Sequence, residues 1–352
     1  MPWVELGEFP TPVQRLEAFG VSRGFPELYI KRDDRSSNRY GGNKVRKLEY
    51  VLADAERKGR KLLITIGATG SNQVLATGIF GGGMGFDVMG IMMDQPNAAY
   101  VRKNLLLDHH FGVEIKHASN IAVELLAFVY QYARTYVAGR RPYYVPGGAS
   151  SPIGNVGFVN AAFELKRQVD EGLLPEPDYL IAAAGSVGTI AGLELGCRLC
   201  RLKTKTIGVG VSFTFYSTPG RLAGMVNDIN RLLRQHDPGV PKVHVFKEDL
   251  IVPNDYLGEK YGAFTELGVE AVREMKELEG IPLETTYTGK ALGGGLDWLT
   301  QRELQDKVVL FWNTYNSVDL TPMIADADYH DLPRSLHRYF EEPTQEELLS
   351  AG

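Results

Sequence analysis

Cysteine is scarce: only Cys197 and Cys200 occur in 352 residues. A disulfide framework is therefore excluded, and a reducing compartment suits the chain. The pair forms a CxxC inside "AGLELGCRLCRLK", which reads as helix, and no second Cys or His pair stands at metal-ligand spacing. Two packed helix cysteines are expected there, not a zinc or redox site. His109 and His110 are adjacent; helical neighbours do not share a face, so both read as structural.

An excess of either charge is also missing. Lys and Arg number 38 against 43 Asp and Glu, a net charge of -5, which gives no basis for binding nucleic acid or an anionic membrane. Long apolar runs are absent as well. The most apolar stretch, residues 74–93, contains six glycines and Asp87 and divides into helix, Gly-rich turn and strand, as a buried α/β unit does. The start, "MPWVELGEFPTPVQRLEAFG", has neither the basic stretch nor the apolar core of a signal peptide. A cytoplasmic protein acting on a small metabolite is expected. The chain shows no internal repeat and no low-complexity tract.

What is present is alternation. Strand-like runs "KLLITIG", "FDVMGIMM", "VEIKHA", "DYLIAAAG", "KTIGVGVS", "KVHVF" and "KVVLFWNT" are separated by helix-like runs, the pattern of parallel sheets flanked by helices. Residues 45–58 carry Val45, Leu48, Val51, Leu52 and Ala55 at helical spacing, with Asn43 a candidate N-cap and Gly59 a candidate stop. The length favours two domains over one. The two prolines of "EGLLPEPDYL", 171–180, suggest a crossing between lobes, and the polar end "EEPTQEELLSAG" reads as a tail.

Three small-residue turns follow strands and precede helices, where backbone N–H groups and a helix dipole can hold an anion. "TIGATGSNQVLATG" presents Thr69, Ser71 and Asn72. "AAAGSVGTIAGLELG" presents Gly185, Ser186, Val187, Gly188 and Thr189, and "YYVPGGASSPIGNVG" is the third. The second turn is neither GxxxxGK[ST] nor GxGxxG, which disfavours a nucleoside triphosphate or a dinucleotide. A lone lysine such as Lys44 is most simply a surface charge at a helix start. Together with a phosphate cradle and a Ser-Asn helix start, however, it suggests pyridoxal phosphate held as a Schiff base. Burial would help by disfavouring the charged amine.

"IKRDDRSSNRYGGNKVRKLEYVLADAERKG", "GSNQ", "GSVGTIAGLELG", "EKYG" and "TYTGKALGGGLDWL" together resemble the family that contains 1-aminocyclopropane-1-carboxylate deaminase and D-cysteine desulfhydrase. These are pyridoxal phosphate enzymes of the tryptophan-synthase-β-like, fold type II group. The likeness runs roughly from Pro10 to Leu320, and GGNKxRKLE is its most specific part. It implies a two-domain α/β fold with the cofactor in the interdomain cleft: residues 1–47 and 162–340 as the larger domain, 48–161 as the smaller inserted one and 341–352 as a tail. It also implies a homodimer and no metal.

By the same resemblance Lys44 holds the cofactor and later moves protons at the substrate. Lys47 is a phosphate-side lysine, and Gly185, Ser186, Val187, Gly188 and Thr189 form the phosphate turn. Asn72 contacts the ring hydroxyl, Ser71 sits by the substrate carboxylate as a candidate catalytic hydroxyl, and Tyr261 and Tyr287 line the substrate side as further candidate catalytic residues. Thr288 stands where the deaminase has glutamate, and Thr314 lies in "NTYN" where desulfhydrases read HTGG; both face the pyridine nitrogen. A hydroxyl there leaves the ring neutral and a weaker electron sink, which favours β-elimination over opening of a cyclopropane. Gln73 replaces the histidine that desulfhydrases carry after Ser71-Asn72, and Tyr315 replaces a glycine; both are placed on the substrate side, where bulk alters which substrate fits. The expected activity is α,β-elimination on a small β-substituted amino acid such as D-cysteine, giving a keto acid and ammonia. The alternatives are the cyclopropane deaminase itself and a cofactor-binding protein with altered or lost turnover.

Overall fold

The computed structural model describes residues 1–350. The chain runs through β1 (Val13–Arg15), α1 (Glu17–Ser22), β2 (Leu28–Lys31), α2 (Lys44–Arg57), β3 (Leu62–Ala68), α3 (Asn72–Gly83) and β4 (Asp87–Met93). It continues with α4 (Ala99–His110), β5 (Glu114–Ala118), α5 (Ile121–Val137), β6 (Tyr143–Val145), α6 (Pro152–Asp170), β7 (Tyr179–Ala184) and α7 (Gly188–Leu199). The remainder is β8 (Lys205–Gly210), α8 (Pro219–His236), α9 (Glu266–Glu279), α10 (Thr288–Thr300), β9 (Val309–Trp312), α11 (Arg338–Glu341) and α12 (Gln345–Ser350).

Two compact units result. The first comprises Met1, Gly7–Lys47 and Ser150–Ser317, the second Pro2–Leu6, Leu48–Ala149 and the described residues from Val318. The first holds a five-stranded sheet in the order β1-β2-β9-β7-β8, antiparallel only between β1 and β2. Its strands bury near-continuous apolar runs such as "YLIAAA" and "VLFW", as strands covered on both faces do. Phe19, Ile30, Ile181, Val209, Met275, Leu292 and Phe311 form one side of that core. The helices α6 and α7 pack closely: a Cβ at Gly192 or Gly196 would come within 2.5 Å of α6 atoms, so only glycine admits this approach. The second unit is built on the parallel sheet β5-β4-β3-β6, with Leu62, Ile64, Met89 and Ile91 buried against α5.

Several expectations need correction. "KVHVF" is not a strand: the Val243 and Val245 N–H groups are taken by the Asn230 and Asn227 side chains of α8, so amides replace a sheet neighbour. Residues 171–178 join α6 to β7 within the first unit and do not cross between units. A boundary at 161/162 would cut α6, a continuous helix that lies wholly in the first unit. Residues 339–346 are bonded within the second unit and do not form a free tail: Tyr339 Oη donates to Asp94 Oδ1 at 3.0 Å and Glu346 accepts the Ala99 N–H. β1, β2 and β6 were not visible in the sequence pattern, being three or four residues long. No helix among the described residues is long and apolar enough to cross a membrane.

Candidate active site

The Gly-Gly pair before Lys44 is a packing requirement. A Cβ on Gly41 would lie 2.0 Å from the Asp34 carbonyl oxygen. Gly42, at φ +90°, would meet the carbonyl oxygens of Thr314 and Tyr315 at 2.7 and 2.8 Å. The segment that follows β9 is thus brought against the start of α2, which places Thr314 and Tyr315 beside the lysine turn. Asn43 does not spend its side chain on helix capping: Oδ1 accepts Lys44 Nζ at 2.8 Å and Nδ2 donates to Thr189 Oγ1 at 3.0 Å. Lys44 keeps some contact with solvent, yet desolvation by the protein around it lowers its amine to about 8, against the supporting charge of Glu284.

β7 ends in the 185–187 turn, and α7 begins on Val187 in the left-handed region (φ 55°) with no side-chain cap. Its first-turn N–H groups and positive dipole end are oriented for an anion. Around this turn, Ser150 Oγ accepts Lys47 Nζ at 3.0 Å and lies 2.7 Å from Ser186 Oγ, while Thr189 holds Asn43. Lys47 is buried, and burial, then the charge of Lys44, pull its amine well below the ordinary lysine range. A bound anion would restore its charge.

Tyr287 lies near the same turn, its ring edge 3.7 Å from where a Gly185 Cβ would sit. Its hydroxyl is hydrogen-bonded to that of Tyr261, whose ring stacks on Phe213 at 5.5 Å. Thr288, the next residue, is buried and tied to Glu284. Glu284 lies outside the positions at which a helix start is read from sequence, the residue directly before the helix and its first turn, so no sequence pattern signalled it. Its carboxylate accepts the N–H groups of Thr286, Tyr287 and Thr288 at 2.7–2.8 Å; burial still raises its carboxyl above the ordinary value. Lys290, also unforeseen, donates to the Leu257 carbonyl at 2.6 Å, and burial lowers its amine to about 8, opposed by the charge of Glu284.

Ser71, Asn72 and Gln73 belong to the second unit. Ser71 is the N-cap of α3, its hydroxyl accepting the Gln73 and Val74 N–H groups. Asn72 Oδ1 accepts from Asn104 Nδ2 at 3.1 Å. Gln73 is buried and donates to Thr77 Oγ1 of its own helix at 2.7 Å. Cys197 and Cys200, at the end of α7, are free thiols raised by burial, and no three His, Cys, Asp or Glu among the described residues group to hold a metal.

A desolvated lysine linked through Asn43 to a donor-rich helix N-terminus, carried by parallel α/β sheets, is the arrangement that suits a phosphorylated aldehyde cofactor. The donor set fits: an amine for the aldehyde, with Lys47, two serine hydroxyls and the α7 N–H groups for the phosphate. The chain belongs to the pyridoxal-phosphate dependent enzyme family, which it matches over residues 4–314. Pyridoxal phosphate is its cofactor. It is 35% identical over 312 residues to a Pyrococcus furiosus protein provisionally named 1-aminocyclopropane-1-carboxylate deaminase, covering 88% of this chain and 90% of that one. It is 31% identical over 319 residues to the D-cysteine desulfhydrase of Klebsiella pneumoniae, covering 89% and 93%. Among solved structures, an ACC deaminase homologue matches with a TM-score of 0.78 at 31% identity, covering 92% and 96%.

Proposed function

We propose that this enzyme is a lyase that performs α,β-elimination on a small β-substituted amino acid, D-cysteine in the first instance. With cysteine and water the products are a keto acid, hydrogen sulfide and ammonia. The observation that carries this reading is geometric: Lys44 Nζ donates to Asn43 Oδ1, and Asn43 Nδ2 donates to Thr189 Oγ1 in the first turn of α7, so one amine stands beside the phosphate cradle as both anchor and base, and its burial favours the neutral form. Pyridoxal phosphate, when bound, supplies the electron sink for loss of the α-proton. Lys44 accepts that proton. The hydrogen-bonded Tyr261 and Tyr287 offer an O–H to a departing β-group. Lys47, Ser186, Val187, Gly188 and Thr189 hold the phosphate, Thr288 and Thr314 serve the pyridine side, and Tyr315 limits the substrate. Ser71 and Asn72 take the carboxylate and ring-hydroxyl roles that the resemblance implies.

A second reading, opening of the cyclopropane of 1-aminocyclopropane-1-carboxylate, is favoured by one observation: Glu284 brings a buried carboxylate to Thr288. We also propose a cytoplasmic location, which two unpaired cysteines suit, and a homodimer, which rests on the family resemblance alone. The test is release of keto acid and ammonia from D-cysteine, L-cysteine, D-serine and 1-aminocyclopropane-1-carboxylate in turn. Turnover of a cysteine or serine isomer supports elimination. Turnover confined to the cyclopropane establishes the second reading, and turnover of none overturns both.

A further inference from the structure

Asn155, in the first turn of α6, is fully buried, and neither its Nδ2 nor its Oδ1 has a hydrogen-bond partner. Buried carboxamides are almost always bonded at one end at least, because they give up hydration on folding. The side chain is aimed at the start of α7. A Cβ built on Gly188 would lie 2.4 Å from Asn155 Oδ1 and 2.2 Å from Ser150 Oγ, so these two polar groups occupy the space beside the first α7 residue. Ser150 in turn bonds Lys47 and Ser186, and α7 has no side-chain cap. Donors therefore surround this helix start. An anion with several acceptor oxygens is the partner that such a set lacks.

We propose that Asn155 is a further ligand of the cofactor's phosphate, donating its carboxamide N–H at the α7 N-terminus. The two ends of a carboxamide are nearly identical in shape, so a half-turn about its last torsion presents the nitrogen at the position of Oδ1. The inference rests on the pyridoxal phosphate site described above and adds a residue from α6, a helix to which the turn motif does not point. It explains why a polar side chain is fully buried next to a glycine that could not carry a Cβ.

The test compares pyridoxal 5'-phosphate with pyridoxal, which differ by the phosphate alone. Dissociation constants are measured by absorption and fluorescence titration of cofactor-free protein, with Asn155→Ala beside the unaltered chain. Loss of one hydrogen bond to a charged group should weaken pyridoxal phosphate roughly tenfold or more, while pyridoxal binding stays unchanged. Asn155→Asp, close in shape but anionic, should weaken it further and cancel the rise in Tm that inorganic phosphate gives the cofactor-free protein. Equal losses for both ligands, or no loss for either, would overturn the proposal by making Asn155 structural only. Should the alanine variant fail to fold, the aspartate variant and Asn155→Ser are read by the same ratio. Failure of the unaltered chain to bind pyridoxal phosphate would instead sink the cofactor reading, a distinct result.

Discussion

Thr288 and Glu284 hold each other across one turn: Thr288 Oγ1 accepts the Glu284 N–H at 2.9 Å and donates to Glu284 Oε1 at 3.1 Å. With three backbone N–H groups on the same carboxylate, Glu284 anchors the N-terminus of α10 and fixes the residues that carry Tyr287 and Thr288. Glu284→Ala should cost about 2 kcal/mol of stability, read as a lowered urea midpoint. Glu284→Gln keeps an acceptor but removes the charge that supports the Lys44 ammonium. The pH midpoint for reaction of the Lys44 amine with pyridoxal should then move down; an unmoved midpoint would show that Glu284 has no electrostatic role.

Lys44→Ala should fold normally, fail to form a covalent bond with pyridoxal phosphate and lose turnover by several orders of magnitude, since anchor and base go together. Borohydride reduction followed by peptide mass spectrometry locates the bond. In the unaltered cofactor-free protein, the rate of attachment should rise with pH and level off above about 8, where the Lys44 amine has lost its proton.

The base of α2 is pinned by buried charges. Arg46 bonds Asp33 through Nε and Nη2, both at 2.8 Å, and Glu164 through Nη1 at 2.9 Å, while Lys31 reaches Glu164 at 2.5 Å. Arg46→Met leaves two carboxylates with less compensation and should destabilise by about 3–5 kcal/mol in urea unfolding.

Acid should act on the same cluster. Burial pushes the Glu164 carboxyl up, but Arg46 and Lys31 outweigh it and hold it at about 2, below its ordinary 4.5. The stability this provides is complete above the unfolded value and is lost as pH falls from 4.5 through about 2. Glu164→Gln should lower the urea midpoint at pH 7 and flatten its decline between pH 5 and pH 2. A parallel decline in both proteins would contradict the assignment.

Asp108 behaves oppositely. It is fully buried in α4, both carboxylate oxygens lack partners, and burial raises its carboxyl well above the ordinary 3.8. The folded state favours the protonated acid, so its contribution is full below the unfolded value and declines as pH rises above it. Asp108→Asn, neutral at every pH, should raise Tm at pH 8 and have less effect at pH 4. Equal changes in Tm at the two pH values would show that burial does not hold the proton on Asp108.

Much of the fold was legible because strand and helix periodicity are local. The strand-turn-helix units at β3–α3 and β7–α7, and the helix after Lys44, stand close to where pattern and small-residue turns put them. "KVHVF" misled because its apolar alternation says nothing about which groups satisfy its backbone; two asparagines from α8 do so, and no pattern in the strand itself reports them.

The site divides along the same line. Sequence alone determined the residue types: a lysine after two glycines, the 185–189 turn, and the tyrosines and threonines of the later motifs. Only tertiary structure decided their surroundings. It packed the segment after β9 onto Gly42, drew Glu284, Lys290 and Ser150 into the site, and buried Asn155 without a partner beside Gly188. A chemical group is written into one position of the chain. Its desolvation and electrostatic field depend on residues up to hundreds of positions away, which local pattern does not encode.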